Sequence, residues 1–499
     1  MEKKYIMAID QGTTNTKVDL FDHDGMLVTR ASLGIRQIYR NPGWVEHDPM
    51  EYYETVVSCA KKVMADKNIA PGEIAAIGIT CQRETTVMWD KNTGEPVENG
   101  ICWQCRRSAP ICDRLRKTGL EQKIREKTGL FLDAYFSGTK IMWILENVPG
   151  VRERAERGDI LFGTIDSWLM WKLSGGRCHV TDYTNASRTL LFNIHTLGWD
   201  AEMCALMGIP MQILPELKPC SGDIALTERS VFGAEIGIHG VMGDQQSATF
   251  GQACFEKGQA KNTYGTSLAI MMNIGETPVL SNNGMITDLL YADGKNKTTY
   301  AFEYVANIGG EVIRWLRDEM KLIETAAGSM EAAARVADTQ GVYLVPAFTG
   351  LNAPYWDSYA RGLIIGITRG TTSDHIVRAG LESICYQTRD GIEAMMRDSG
   401  AALAELKVDG GATVNPMLMQ MQADILGIPI VLPATEDMAA LGCAYAAGLA
   451  VGFWKDRNEI QRLWNVKRRY EPQMERSRAD EMYGGWKRAV QRSLSWAEA

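Results

Sequence analysis

Short apolar runs broken by polar turns open the chain. Residues 4–9, 17–22 and 26–33 read as strands, and His23-Asp24-Gly25 joins the last two as a hairpin. The segment "HDPMEYYETVVSCAKKVMADKN" then has helical spacing, with Asp48 placed to cap it and Pro49 suited to its first turn. Residues 74–80, "IAAIGIT", form a continuous apolar run of the kind found in buried strands, leading into the charged "CQRETTVMWD". Strands, then a helix, then a strand predict an α/β domain with a partly antiparallel sheet.

Near Gly240 the pattern restarts. "HGVMGDQQSATFGQ" and "AKNTYGTSLAIMMNIG" again set Asp, Gly and Thr beside strand-like runs. A long helix is expected from a Ser373 cap, followed by strand, glycine turn and helix in "LKVDGGATVNPMLMQMQADILG". The repeated order predicts two α/β domains, residues 1–250 and 251–499, related by duplication in element order. With no low-complexity linker between them, the two are expected to face each other across a ligand cleft.

Composition removes several function classes. At 499 residues the chain is long for one domain. Its 53 Lys plus Arg against 61 Asp plus Glu leave a net charge of −8, which argues against nucleic acid as the partner. Arg106-Arg107 and Lys467-Arg468-Arg469 are too short for a binding stripe. No apolar run approaches the roughly 18 residues of a membrane span. The 11 cysteines, without an N-terminal signal segment, suggest reduced thiols in the cytoplasm. Cys102 and Cys105 lack a second pair nearby and are not expected to hold zinc. A homo-oligomer, dimer or tetramer, is left open.

Three polar turns carry chemistry. In "AIDQGTTNTK", Gly12 permits close backbone approach, and Thr13, Thr14 and Asn15 offer side-chain and backbone donors. Asp10 can hold a hydrated Mg²⁺, and Lys17 adds positive charge. The second turn is Tyr264-Gly265-Thr266-Ser267; the third is Asp409-Gly410-Gly411, running through Asn415 into a helix. Each has an ordinary structural alternative, but three across two domains suit a nucleoside triphosphate. Asp244, in "GDQQ", is either a helix cap or a proton acceptor. Arg83 and Glu84, in "QRET", are either a surface ion pair or a clamp for polyol hydroxyls, with Trp103 and Tyr135 near enough to cover carbon.

Together "DQGTTNTK", "QRETTVMWD", "WQCRRSA", "YFSGTKIMW", "TDYTNASRTLLFNIHTLGWD", "GDQQSATFGQ", "VPAFTGLNAPYWD" and "VDGGATVNP" resemble the FGGY carbohydrate kinases, in their glycerol kinase branch, along essentially the whole chain. The resemblance implies two actin-like (ribonuclease-H-like) domains, with ATP and Mg²⁺ in the cleft. It implies phosphorylation of glycerol to its 3-phosphate, with Asp244 as base and polyol contacts from Arg83, Glu84, Trp103, Tyr135, Asp244 and Gln245. Nucleotide contacts would fall to Thr13, Thr14, Asn15, Lys17, Thr266, Gly310, Arg314, Gly411 and Asn415, and metal contacts to Asp10 and Asp244. The first domain would then serve polyol and phosphate, the second the nucleotide.

Some positions depart from the family pattern. Lys17 stands where an Arg is usual, Ser267 replaces Gly, Ala269 replaces a Phe that packs on glycerol, Tyr304 replaces a small residue, Arg314 replaces Gln, and Asn352 replaces Gly. Ala269 leaves room for a four-carbon polyol such as erythritol or threitol, with Ser267 or Tyr304 as partner for the added hydroxyl, unless Leu268 or another side chain fills the gap and glycerol stays preferred. An actin-like ATPase with no polyol substrate is the remoter alternative.

Overall fold

The computed structural model describes residues 2–294 and 297–497. The first sheet is built from β1 (Tyr5–Gln11), β2 (Asn15–Phe21), β3 (Leu27–Gly34), β4 (Ile74–Cys81), β5 (Ser221–Leu226) and β6 (Gly237–Gly243), in the order β5-β6-β4-β1-β2-β3. β1, β2 and β3 form an antiparallel meander, while β4 runs parallel to both β1 and β6. Between β3 and β4, helix α1 (Pro49–Asp66) starts where Asp48 accepts from Met50 N–H at 2.9 Å. Its apolar face, Tyr52, Val56, Cys59 and Val63, closes a core with Met7, Ile9 and Val18 of the sheet.

The second sheet repeats that plan. It contains β7 (Ala260–Tyr264), β8 (Leu268–Gly275), β9 (Ile286–Ala292), β10 (Thr298–Ala306), β11 (Leu406–Asp409), β12 (Ile430–Pro433) and β13 (Val466–Tyr470), in the order β9-β10-β8-β7-β11-β12-β13. As in the first sheet, the opening strand pairs antiparallel on one side and parallel on the other, here with β8 and β11. The long helix runs Ser373–Ser399 with Thr372, not Ser373, in the capping position. The hydroxyl residue one place earlier has the extended backbone that a cap requires, and Ser373 is already helical.

Two helices join the halves. Helix α2 (Asp244–Gly251) follows β6, and α5 (Met438–Ala450) crosses it. Between them in the chain lie α3 (Ser373–Ser399) and α4 (Pro416–Leu426). The crossing is close because Gly442 has no side chain: a Cβ there would lie 1.8 Å from the Ser247 carbonyl oxygen. Ser247 Oγ also donates to the Ala439 carbonyl at 2.6 Å. Although it comes late in the chain, α5 packs on β4 and β6, and Ser221 Oγ donates to the Ala446 carbonyl at 2.7 Å.

This topology determines where chemistry can gather. In the first sheet, Gln11 and Gly243 both register with Cys81, so β1, β4 and β6 end together. Asp10, Gln82 to Glu84 and Asp244 therefore emerge along one edge. In the second sheet Thr263 registers with Asp409, so the turns after β7 and β11 also emerge together. Ligand crevices in open α/β sheets lie at such carboxyl ends.

Candidate active site

Arg83 and Glu84 are buried, not a surface pair. Arg83 Nη2 donates to Glu303 Oε1 at 2.5 Å, its Nε lies 3.2 Å from Asp244 Oδ1 and 3.6 Å from Glu84 Oε1, and its Nη1 lies 3.4 Å from Asp288 Oδ2. A second arginine completes the cluster. Arg188 reaches Glu84 Oε1 at 2.7 Å, Asp288 Oδ2 at 2.8 Å and Glu303 Oε2 at 2.7 Å. Asp288 also accepts from Ser187 Oγ and Gln246 Nε2, each at 2.8 Å.

Charges this deep persist because each has several opposite partners. Burial alone would raise the Glu303 carboxyl, but Arg188 and Arg83 hold it near 2. For Asp288 burial prevails over Arg188, and its carboxyl lies above the usual range. Lys140 fixes the Glu84 main chain, donating to the carbonyls of Glu84 (3.1 Å) and Tyr135. Burial lowers Lys140 to about 8.

Asp244 stands at the edge of this cluster as the first residue of α2, with its side chain 34% exposed where that of Arg83 is 3% exposed. Its Oδ1 accepts from Gln245 N–H at 2.8 Å. Desolvation raises its pKa against the pull of Arg83. A carboxylate of increased basicity, open to the cleft and fixed by neighbours, can accept a proton. Trp103 and Tyr135 meet edge to face at 5.6 Å, and Trp103 Nε1 donates to Thr13 Oγ1 at 2.9 Å, linking the aromatic wall to the first polar turn.

At that turn, Gly12 N–H donates to the Asn15 carbonyl at 3.0 Å and Thr14 and Asn15 are exposed. Lys17 does not extend freely from it. Its Nζ bridges Asp10 Oδ2 at 3.1 Å and Asp437 Oδ2 at 2.7 Å, and Arg30 lies 3.1 Å from Asp437. Asp10 rises to about 6, chiefly by burial and further through Asp437 and Asp244, with Lys17 opposing. Asp10 offers a carboxylate oxygen of the kind Mg²⁺ prefers, and a hydrated Mg²⁺ needs few protein carboxylates. Among the described residues no group of three or more acids, histidines or cysteines is placed to hold a metal, and Lys17 and Arg30 offset part of the negative charge.

The expected nucleotide residues form a second group. Gly310 N–H donates to the Gly265 carbonyl at 2.8 Å, and Glu311 N–H to that of Thr266 at 3.2 Å, joining the second turn to the helix Glu311–Asp318. Arg314 on that helix is exposed and paired with Glu311 at 2.6 Å. Gly411 is exposed beyond β11. Asn415 caps α4, accepting from Met417 N–H at 3.0 Å and Leu418 N–H at 3.1 Å, so its amide oxygen is already engaged.

Two expectations need correction. Tyr304 cannot meet an added substrate hydroxyl. On β10 it faces away from its neighbour Glu303 and lies against Gly391 of α3, where a Cβ would come within 2.7 Å of its ring. Leu268 cannot fill the space left by Ala269, because it belongs to the core on the opposite face of β8. The residues on the same face as Ala269 are Thr263, opposite it on β7, and Val305, opposite it on β10.

Arg188, Asp288, Lys140, Lys261 and Asp437 were not singled out from the sequence. Arg188 lies within the quoted "TNASRTLLFN" stretch, but its role depends on strands about 100 residues away. Asp437 reaches Lys17 over a separation of 420 residues, which no local pattern signals.

Comparison with known proteins gives a consistent picture. Residues 5–251 match the N-terminal domain of the FGGY family of carbohydrate kinases, and residues 260–451 its C-terminal domain. The chain is 57% identical over 496 residues to a glycerol kinase of Caldanaerobacter subterraneus subsp. tengcongensis, covering 99% of both chains. It is 56% identical over 493 residues to glycerol kinase 2 of Thermotoga maritima, again covering 99% of both. A crystal structure of Plasmodium falciparum glycerol kinase with ADP superposes with a TM-score of 0.94 at 35% identity, covering 99% of each chain.

Proposed function

The chain belongs to the FGGY family of carbohydrate kinases, and from that premise we propose that it transfers the terminal phosphoryl group of ATP to glycerol, giving glycerol 3-phosphate. The observation that carries this reading is the buried clamp beside a half-buried acid. Arg83 and Glu84 lie buried where the first sheet ends at its carboxyl edge, with Asp244 adjoining Arg83 at 3.2 Å. Whole-chain identity to glycerol kinases supports glycerol over a larger polyol. The clamp itself argues against an ATPase with no polyol substrate.

Arg83, Glu84 and Gln245 orient the triol, and Trp103 with Tyr135 covers its carbon face. Asp244 accepts the proton of the attacking primary hydroxyl as the new oxygen–phosphorus bond forms, while the bond from the γ-phosphorus to the β,γ-bridging oxygen breaks and ADP leaves. Phosphoryl transfer asks little more of a protein than alignment, charge stabilisation and such an acceptor. Thr13, Thr14, Asn15 and Lys17 serve the phosphates; Thr266, Gly310, Arg314, Gly411 and Asn415 serve the rest of the nucleotide. Asp10 and Asp244 would hold Mg²⁺, which when bound neutralises phosphate charge.

The chain divides near residue 250, with residues 1–250 serving polyol and phosphates and 251–499 the nucleotide; α5 is the segment that returns to the first sheet. Eleven unpaired cysteines support a cytoplasmic setting. No helix among the described residues is long and apolar enough to cross a membrane. The test is ATP consumption by the purified protein on glycerol, erythritol, both threitols and xylitol, with and without Mg²⁺. Glycerol should give the highest kcat/KM, and turnover should require the metal. ATP consumption that no polyol stimulates would overturn the reading.

A further inference from the structure

Lys261 is a fully buried lysine beside the site, on β7, and the reaction as described does not use it. Its ammonium donates to Gln245 Oε1, to Thr263 Oγ1 at 2.9 Å and to the Ala269 carbonyl at 3.2 Å. Three donors thus meet three acceptors, and the side chain has no freedom to turn elsewhere. Burial lowers its pKa, and Asp409, Asp244 and Glu303 around it oppose that shift and favour the ammonium form.

The contact with Gln245 has a directional consequence. A Gln side chain has an oxygen that accepts and a nitrogen that donates, and alone it can flip between the two. An ammonium group only donates. Beside Lys261, Gln245 must therefore turn its oxygen toward β7, leaving its Nε2 donor on the other side. Gln245 is half-buried at the start of α2, next to Asp244. Glu84 and Asp244 supply acceptors there, so a fixed donor adds the complementary half of hydroxyl recognition.

We propose that Lys261 is a positioning residue: it locks the Gln245 amide in the orientation that presents Nε2 as a hydrogen-bond donor to a hydroxyl oxygen of the polyol. This rests on the polyol kinase reading above. The residue touches no reacting atom and acts through Gln245. Its two other acceptors, on β7 and β8, tie that orientation to the second sheet, so the amide is set by the half of the molecule opposite to Arg83 and Glu84.

The test compares Lys261→Met, Gln245→Leu, the double variant and Gln245→Glu with the unsubstituted protein, measuring kcat and both KM values. Lys261→Met and Gln245→Leu should each raise the KM for glycerol about tenfold or more, the scale of a lost hydroxyl contact, with the KM for ATP little changed. The double variant should be no worse than the poorer single, because both remove one interaction. Gln245→Glu keeps an acceptor for Lys261 but loses the donor, and should weaken glycerol binding as much as Gln245→Leu. It also decides the matter should Lys261→Met fail to fold. An unchanged glycerol KM in Lys261→Met or Gln245→Glu, equal losses for glycerol and ATP, or multiplying effects in the double variant would overturn the inference. If the unsubstituted protein turns over no polyol, the proposed function falls and this inference with it.

Discussion

Arg83, just after β4, donates to Glu303 on β10 at 2.5 Å, so the two sheets are joined by a buried ion pair inside the proposed polyol clamp. Glu303 holds Arg188 as well, at 2.7 Å. One carboxylate thus serves two guanidinium groups that water does not reach.

Removing Glu303 should therefore affect stability and binding together. Glu303→Ala leaves two buried cations short of a partner, and such a loss costs about 3–5 kcal/mol. Chemical denaturation should show a loss of that size, with a raised KM for glycerol. A loss below about 1 kcal/mol, the range of a surface ion pair, would contradict the burial-based account.

The helix crossing supplies a second prediction. Gly442→Ala places a methyl group 1.8 Å from the Ser247 carbonyl oxygen, a backbone atom that can yield only if α2 shifts. Overpacking of this kind costs about 1–3 kcal/mol. Because α2 begins with Asp244, kcat should fall along with stability. Unaltered thermal stability would show that the helices can separate freely.

A third prediction concerns Asp10. Its folded pKa, about 6, exceeds the ordinary carboxylate value of 3.8. Between those values the folded state binds more protons than the unfolded one, so this group makes stability fall as pH rises from about 4 to 6. Asp166 and Asp390 are raised too, to about 7 and about 6, and add the same sign. The difference between the native protein and Asp10→Asn isolates the Asp10 part. The variant should show a shallower decline over that window and less thermal stabilisation by Mg²⁺ at pH 7. Equal slopes and equal metal effects would remove Asp10 from the charge cluster.

Much of this architecture was legible from the chain. Continuous apolar runs such as 74–80 become central strands because both faces are covered, and Asp48 caps α1 through a local contact. Arg83, Glu84 and Asp244 could be singled out because charge sits where apolar strands end. What stayed hidden depends on register between distant strands. Whether Tyr304 or Glu303 faces the clamp is decided by the pleat of β10 and its pairing with β8, which alternation within "AFEYVAN" does not fix. That Lys17 is held by Asp437 is equally hidden, because that partner lies 420 residues away.

In the proposed reaction Asp244 accepts the proton of a polyol hydroxyl during phosphoryl transfer. The most direct test is steady-state turnover of glycerol by Asp244→Asn, which preserves shape and removes basicity, together with calorimetric titration of the nucleotide. With Asp244 as the base, kcat should fall by roughly 10²–10⁴, the usual contribution of a positioned base, with nucleotide affinity in the absence of metal little changed. A kcat near that of the native protein would contradict it.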